Sequence, residues 1–371
     1  MQRRLYKVAA LQHTLLQLNN ISGVGPALIQ RLLQCYGADM PALCQVSIGE
    51  LVARGFSQQS AQRIITGLAD KDWLQQELDR IEAQGVKVIT LYDDSYPELL
   101  RTIHYPPPLL YVQGMLPTFT TKNRTVAVVG SRNANAYGIA VTRAYGAALV
   151  QQGYIVVSGG ARGIDMYAHR AALEAGRPTV VILGSGLLKP YPLEHTKMFA
   201  EIVAVGGTIM SPFPLMMAPM PGNFPARNRI IAGCASACIV VQASEKSGAL
   251  ITASYALQEG RDVGIVPGSI FDPLSKGCHT LLAQGATPLA SIDELYQFMG
   301  CSVIPPQETV QQLSAQEQIG EQLHRICVQP HTLDELLQKT GMTSDMLYDH
   351  LWDLQVKGLI EQTVTGRWRS C

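Results

Sequence analysis

Long apolar runs, paired cysteine motifs and an excess of charge of either sign are all missing from this sequence of 371 residues. Because no apolar run is long enough to span a lipid bilayer, we expect no membrane-spanning helix and no membrane partner. The N-terminus lacks a small-residue cleavage site, which argues against a signal peptide. None of the eight cysteines stands in a CxxC pair or beside ligands at metal-binding spacing. We therefore predict reduced thiols, no metal site and a cytoplasmic protein.

The fingerprints of common nucleotide enzymes are missing as well. The pattern G-x-x-x-x-G-K-[ST] does not occur, which excludes a P-loop NTPase. No G-x-G-x-x-G follows the first strand of the predicted sheet, and no acidic residue closes the second strand, where the ribose of a dinucleotide would need a partner. NAD and FAD are therefore disfavoured, and we predict no cofactor.

Charge is balanced overall but unevenly distributed. Lysine plus arginine and aspartate plus glutamate each number 29. Residues 122–299 contain 14 basic and 10 acidic residues, a net charge of +4, whereas residues 300–371 contain 5 and 9, a net charge of −4. We therefore expect any anion to bind in the middle of the chain.

From Thr125 onward, short β-branched apolar runs alternate with segments of helical length. Uninterrupted apolar strands are typical of a parallel sheet that is covered on both faces. We predict an α/β fold with a Rossmann-like doubly wound parallel sheet. The predicted strands are Thr125–Val129, Tyr154–Val157, Thr179–Leu183, Ala237–Val241 and Asp262–Val266.

The N-terminal part is predicted to be helical. Residues Leu15–Tyr36 contain two helical patterns separated by Ile21–Pro26, which resembles a helix-hairpin-helix whose backbone amides could hold a phosphate. An ordinary helical hairpin explains the same pattern equally well. A short apolar strand, Val86–Leu91, precedes the sheet region.

The C-terminal part begins with the polar stretch Ser302–Gln316, which is typical of a linker. The segment that follows has the pattern of a winged helix-turn-helix. Its predicted elements are the helices Gln318–Cys327, Thr332–Thr340 and Ser344–Lys357, and a wing over Leu359–Trp368 that turns at Gly366.

Small-residue loops follow the first three predicted strands and should meet at the carboxyl edge of the sheet. They begin at Gly130, Ser158 and Gly184. Glycine lets the backbone approach an oxyanion, serine adds a hydroxyl donor, and arginine offers a planar fork to phosphate. We predict a phosphate site here. Close strand–helix packing would also demand the glycines, but it would not demand Arg132 or Arg162.

Two further segments extend this predicted site. Phe224 precedes Arg227 and Arg229, which cannot share one helix face, so we expect one arginine to reach the crevice and the other to brace the loop. The aromatic ring of Phe224 could stack on a base or be buried in the core, and the sequence favours the two roles equally. The segment that begins at Lys246 precedes another predicted helix and is interpreted as a fourth phosphate-facing loop.

Five motifs stand in the order and spacing of the DNA-processing protein A (DprA/Smf) family, which the chain resembles. They are Val128–Arg132, Ser158–Asp165, Phe224–Gly233, Ser247–Ala253 and Val266–Gly268. The resemblance implies a single-stranded DNA-binding recombination mediator that protects incoming DNA and loads the RecA recombinase during natural transformation. It also implies a homodimer that performs no chemistry on its ligand.

The predicted DNA-binding residues follow from these motifs and from the loops. They are Gly130, Ser131, Arg132, Ser158, Gly159, Gly160, Arg162, Phe224, Arg227, Asn228, Lys246, Ser247 and Gly248. Three positions depart from the family pattern, since Pro212 and Gln242 stand where glutamate is frequent and His195 stands where asparagine is frequent.

With the resemblance, we divide the chain into five segments. These are a helical, helix-hairpin-helix-like domain at 1–70, a connecting extension onto the sheet domain at 71–121, a Rossmann-like DNA-binding domain at 122–299, a linker at 300–317 and a winged-helix domain at 318–371.

The competing interpretation is an enzyme. Nucleotide phosphoribohydrolases share this sheet architecture and use P-G-G-x-G-T-x-x-E, of which Val266–Ile270 keeps only the first Pro-Gly. Asp165 and His169 are four residues apart and could suggest catalysis, although a helix cap and a histidine on the helix face explain them more simply. Without a glutamate near the crevice we predict that the protein is not an enzyme.

The last predicted helix places Asp345, Asp349 and Asp353 at i, i+4 spacing, as one acidic stripe. Such a stripe would repel duplex phosphates, although Arg367 and Arg369 flank an aromatic residue in the wing. We therefore predict an interaction or regulatory module rather than a reader of duplex DNA.

Removing the chain after Gly300 should leave the affinity for single-stranded oligonucleotides within about 1 kcal/mol, the scale of one marginal contact. Fluorescence anisotropy measures this difference. The isolated segment 300–371 should not shift duplex DNA in a gel at physiological salt. A duplex complex that disappears on mutating residues 344–357 would contradict the charge argument.

Overall fold

The β-branched runs of the sequence form the strands of one large sheet. The computed structural model describes residues 2–117, 124–301, 323, 326–356, 359–363 and 366–370. In these residues the sheet has nine strands, in the order β1-β2-β6-β5-β4-β3-β7-β8-β9. Their bounds are β1 Lys87–Thr90, β2 Leu109–Gly114, β3 Thr125–Val129, β4 Ile155–Ser158, β5 Val180–Ile182, β6 Thr208–Ser211, β7 Ala237–Val240, β8 Asp262–Ile265 and β9 Thr287–Pro288.

The sheet is mostly parallel, which confirms the prediction of an α/β fold and is consistent with a Rossmann-like arrangement. The strands from β6 to β9 pair in parallel, whereas β2 is antiparallel to both β1 and β6. Each predicted strand is present, with ends that differ by one residue at most. The sequence prediction missed β2, β6 and β9. Of these, β6 is only four residues long and begins and ends with a hydroxyl residue, so its apolar signal is weak.

Helices cover both faces of the parallel strands. They are α7 Ala136–Gln151, α8 Ile164–Glu174, α9 Thr196–Ala204, α10 Asn223–Gly233, α11 Gly248–Gln258, α12 Lys276–Ala283 and α13 Ile292–Phe298. Alternate residues of β3 enter two different buried clusters, since Ala127 and Val129 pack on one face while Val126 and Val128 pack on the other. Burial on both faces explains why this strand is apolar from Val126 to Val129.

The strand order reverses next to β3. Strands β4, β5 and β6 follow β3 on one side, and the chain then returns to the other side of β3 to form β7. The loops that follow β3 and β7 therefore lead to helices in opposite directions. Such a reversal leaves a crevice outside the carboxyl ends of the strands, where ligands of doubly wound sheets bind.

The N-terminal helices pack against the same sheet. Leu15 and Leu16 are fully buried in a cluster that also contains Tyr111 of β2 and Val181 of β5. Glu77, which is buried, accepts a hydrogen bond of 2.7 Å from the backbone N–H of Leu215. The helices are α1 Gln2–Asn20, α2 Pro26–Tyr36, α3 Ile48–Ala53, α4 Gln58–Leu68, α5 Lys71–Ala83 and α6 Glu98–Arg101.

The predicted hairpin turn lies between α1 and α2. Gly23 has a φ of 80°, a conformation that glycine adopts without strain. The first helix begins at Gln2, well before the predicted start at Leu15. The helix-hairpin-helix interpretation stays a prediction.

Residues 304–371 form a second compact unit, separate from the unit of residues 1–303. It contains α14 Leu333–Thr340, α15 Ser344–Val356 and an antiparallel pair, β10 Ile360–Gln362 and β11 Trp368–Ser370. Thr332 and Glu335 form a capping box at the start of α14. The predicted linker and most of the predicted helix Gln318–Cys327 lie outside the described residues. None of the described helices is long and apolar enough to cross a membrane.

Candidate nucleic-acid interface

A crevice of about 430 Å³ opens at the carboxyl edge of the sheet, where the strand order reverses. The loops after β3 and β7 form its two sides, and the N-terminal parts of α8, α10 and α11 complete it. Of the predicted site residues, the following line it: Gly130, Ser131, Arg132, Arg227, Asn228, Lys246, Ser247 and Gly248. The structure therefore brings together segments that are more than 100 residues apart in the chain.

Two exposed cations line this crevice, one on each of its two loops. Arg132 follows β3 and Lys246 follows β7. Within the described ranges, neither side chain forms a hydrogen bond or an ion pair. Both charges are thus available to an anion in the crevice.

The start of α11 adds backbone donors beside Lys246. Ser247 caps this helix and accepts a hydrogen bond of 3.3 Å from the N–H of Ala249. Gly248 is exposed, and a Cβ atom at this position would meet open space. Helix N-termini carry free N–H groups and a partial positive charge, so this end of α11 favours a phosphate.

An aromatic pair lies beside Arg132. The Phe224 ring is half-buried, with its centroid 5.2 Å from Cζ of Arg132 and 5.8 Å from the ring centroid of Tyr191. A Cβ atom on Gly184 would lie only 2.8 Å from Phe224, so glycine is needed for the ring to reach this position. The ring is at the wall of a side cavity of about 170 Å³ and belongs to none of the buried clusters formed by the described residues. The core interpretation of Phe224 is therefore wrong, and base stacking stays a prediction.

Arg162 lines the same side cavity but is already engaged. Its exposed guanidinium forms an ion pair with Glu194, which is also exposed. An exposed ion pair of this kind contributes little free energy, so a phosphate can compete for the arginine. Sequence reasoning missed both Glu194 and Tyr191, because each reaches the site from a segment that carries no glycine motif.

Arg227 is buried, with 3% of its surface exposed. Its Nη1 donates hydrogen bonds of 2.5 Å to the carbonyl oxygens of Gly159 and Ile182. Burial lowers the pKa of this guanidinium to about 10, although the carboxylate of Asp165 opposes the shift. Of the two predicted arginines, Arg227 and Arg229, Arg227 is thus the one that braces the loops. Arg229 does not line the crevice.

Asp165 is the buried counterpart of Arg227. It accepts hydrogen bonds from the N–H groups of Gly159, at 3.1 Å, and Ala161, at 3.4 Å. Burial raises the pKa of its carboxyl group, while Arg227 and these N–H donors act in the opposite direction. Asp165 therefore does not cap α8 as the sequence suggested, because Gly163 occupies the N-cap position. It holds the loop that precedes the helix.

Several predicted contacts are structural instead. The hydroxyl group of Ser158 is fully buried and donates a 2.6 Å hydrogen bond to the carbonyl of Val128, so its predicted ligand contact is wrong. A Cβ atom on Gly130, Gly159 or Gly160 would lie between 2.0 and 2.8 Å from a neighbouring atom. Close packing therefore requires these three glycines, whatever else they do. The hydroxyl of Ser131 accepts from the N–H of Asn133 at 3.1 Å and stabilises the turn after β3.

His169 is fully buried on the inner face of its helix. Its Nδ1 lies 2.8 Å from the hydroxyl of Thr179, which donates to the carbonyl of Val156. Because the hydroxyl proton of Thr179 already lies in the hydrogen bond to Val156, Nδ1 of His169 must carry a proton. It donates a hydrogen bond to the hydroxyl oxygen of Thr179. Burial lowers the pKa of His169 to about 3, so the ring is neutral at physiological pH.

Gln242, which stands where the family pattern has a glutamate, connects the two loops of the crevice. The side chain is buried, and its Nε2 donates a 2.8 Å hydrogen bond to Oδ1 of Asn135. The same Asn135 oxygen accepts from the N–H of Gly138 at 3.0 Å and caps α7. An ionised glutamate could not donate to Asn135, so the amide fits this contact between the two sides of the crevice.

Comparisons with known proteins identify the family of this chain. A family model described as DNA recombination-mediator protein A matches residues 87–300. The chain is 36% identical to Protein Smf of Synechocystis sp. over 307 residues, which cover 81% of this chain and 76% of that protein. It is 34% identical over 361 residues to a putative DNA processing protein DprA of Mycobacterium tuberculosis, with 92% of this chain and 90% of that protein covered.

Two solved structures are similar as well. DNA processing protein A from Streptococcus pneumoniae matches with a TM-score of 0.65 and 31% identity, over 76% of this chain and 95% of that one. DNA processing protein A from Helicobacter pylori, whose structure is described with its single-stranded DNA binding mode, matches with a TM-score of 0.50 and 28% identity. This second match covers 57% of this chain and 94% of that one.

The depressed pKa of His169 predicts a pH-dependent stability. The unfolded chain binds a proton near pH 6.5 and the folded chain only near pH 3, so acidification below 6.5 favours unfolding. Between about pH 7 and pH 5 this group should remove about 2 kcal/mol from the free energy of unfolding. In His169→Gln that loss should disappear, as measured by urea unfolding at both pH values. The exposed His104→Gln serves as the control, and an equal pH dependence in His169→Gln and the unsubstituted protein would contradict the prediction.

Proposed function

The chain belongs to the DNA recombination-mediator protein A family, and from this premise we propose that its crevice binds single-stranded DNA without strong sequence preference. The observation that carries the proposal is the pair of unpaired, exposed cations, Arg132 and Lys246, on the two sides of the crevice. The relative from Helicobacter pylori, which is described as binding single-stranded DNA, supports the same ligand.

The proposed roles follow from the position of each side chain. Phosphates lie near Arg132, Lys246 and the free N–H groups at the start of α11. A base stacks on Phe224, next to Tyr191, because every base has an aromatic face and stacking does not read sequence. Arg227 positions the loops and does not itself contact the strand.

Within this function, we propose a recombination mediator that protects incoming DNA and loads the RecA recombinase during natural transformation, in the cytoplasm and as a homodimer. Family membership supports these roles. Light scattering at micromolar concentration should give the mass of a dimer, and a pull-down should retain the recombinase. A monomeric mass both with and without DNA would contradict the proposal of a homodimer.

The two ends of the chain have proposed roles that follow from their elements. We propose a helix-hairpin-helix at the turn between α1 and α2. We also propose a winged helix in the second unit, where two helices precede a two-stranded antiparallel pair. Its net negative charge supports an interaction or regulatory role rather than the binding of duplex DNA.

The alternative, a nucleotide phosphoribohydrolase, is not favoured. Of the described residues that line the crevice, Asp165 alone carries a carboxyl group. That group is held by two backbone N–H groups and lies near Arg227, so it is poorly placed to act as an acid or base on a ligand. We therefore propose that the protein binds its ligand and does not cleave it.

Replacing Arg132 with alanine should weaken the binding of thymidine and mixed-sequence oligonucleotides alike, by about tenfold, because a phosphate contact carries no sequence information. The slope of log affinity against log salt should become shallower by about 0.7, as expected for one phosphate contact fewer. Fluorescence anisotropy over a series of salt concentrations measures both quantities.

The matched control for that variant is Arg170→Ala. Arg170 lies on α8, pairs with Glu201 and lines none of the cavities described here. Its replacement should leave the affinity for DNA unchanged. An Arg132→Ala protein that binds as tightly as the control would contradict the proposed site.

A further inference from the structure

A second cavity, of about 720 Å³, lies between α10, α11, the segment after α6 and the start of α2. We call it the helical groove. The residues that matter here are Ala27, Tyr105, Arg229, Tyr255 and Glu259. It shares no lining residue with the crevice, although α10 and α11 contribute to both.

The helical groove contains an arginine without a polar partner. Cζ of Arg229 lies 5.9 Å from the ring centroid of Tyr105, which is itself 42% exposed. In the part of the chain that the structure describes, Arg229 forms no hydrogen bond and no ion pair. Burial lowers the pKa of its guanidinium because the charge is partly removed from water, while Tyr255 and the carboxylate of Glu259 act in the opposite direction without a direct contact. A partly desolvated cation of this kind is stabilised by an anion.

The carboxylate in the helical groove is already satisfied. Both oxygens of Glu259 accept hydrogen bonds from the backbone N–H of His104, at 3.1 and 3.2 Å. The start of α2 adds positive potential, because Gly25 has no side chain to cap the helix and, within the described residues, the N–H of Ala27 forms no hydrogen bond. An unpaired guanidinium, an uncapped helix start and tyrosine rings suit a phosphate attached to an aromatic base.

The crevice and the helical groove are neighbours along two helices. On α10, Asn228 lines the crevice and the next residue, Arg229, lines the helical groove. On α11, Thr252 lines the crevice, and Tyr255 lines the helical groove about 4.5 Å further along the helix axis. The two cavities therefore lie on neighbouring stretches of α10 and α11, which a single strand can follow from one to the other.

We propose that the helical groove is a second subsite for the same DNA strand, in which a base stacks on Tyr105 and Arg229 receives the adjacent phosphate. The inference rests on the proposed function and extends it from one crevice to a continuous path over α10 and α11. An apolar peptide would fill the cavity but would leave the charge of Arg229 unpaired, which disfavours it.

Oligonucleotide length provides the test, because a short oligonucleotide fills the crevice alone. Arg229→Gln and Tyr105→Ala should each weaken binding of a thymidine oligonucleotide of about 20 nucleotides by about tenfold. The same variants should change the affinity for one of about 4 nucleotides by less than about twofold. The matched control is Tyr92→Ala, since Tyr92 is similarly exposed, at 48%, and lines neither cavity.

A cross-linking experiment locates the strand directly. Long oligonucleotides that contain iodouracil should cross-link to Tyr105 or Tyr255, as identified by mass spectrometry of the peptides. Unfolding in urea checks that each variant is folded.

Three outcomes would overturn the subsite. Unchanged affinity in both variants together with no cross-link in the helical groove would contradict the second subsite. The Arg132→Ala variant would still test, independently, whether DNA binds in the crevice. Equal loss for short and long oligonucleotides would mean that the substitutions act through the crevice. Variants that bind DNA normally but lose the recombinase in a pull-down would assign the helical groove to a protein partner.

Discussion

Two buried charged side chains hold the backbone of Gly159, one at its N–H and one at its carbonyl, and the geometry of the crevice depends on these contacts. Asp165 accepts a hydrogen bond from the N–H of Gly159, and Nη1 of Arg227 donates one to the carbonyl of Gly159. The same Nη1 donates to Ile182 at the end of β5. Removing two charges from water costs several kcal/mol each unless their polar atoms are paired. The loops after β4 and β5 are therefore fixed to α8 and α10 at the point where a ligand would bind.

This constraint separates two kinds of charged residue at one sheet edge. Arg227 and Asp165 are buried and form hydrogen bonds with the backbone of the loops, so they hold the loops in position. Arg132 and Lys246 are exposed and free of polar partners within the described residues, so they can meet phosphates. A buried inner layer that presents exposed outer cations suits a polymer whose bases vary, because phosphate contacts fix position without reading sequence.

The sequence was sufficient for the parts of the fold that depend on local pattern. Residues 126–129 are all apolar because both faces of β3 are covered, and that signal is visible without a structure. Loop motifs also predicted which segments meet, because carboxyl ends of parallel strands share one edge. Side-chain direction could not be predicted in the same way. Ser158 turns into the sheet and Arg227 into the core, and Glu194 reaches Arg162 from 32 residues away, all through tertiary contacts that no local spacing encodes.

The central claim is that single-stranded DNA lies on the carboxyl edge of the sheet, between the loops after β3 and β7. Hydrogen–deuterium exchange of the full chain, with and without a thymidine oligonucleotide, measures which backbone N–H groups the ligand covers. If DNA binds in the crevice, exchange slows in the peptides that contain residues 130–133 and 246–249. Exchange that is unchanged in both peptides at saturating DNA, with protection elsewhere in the chain, would contradict it.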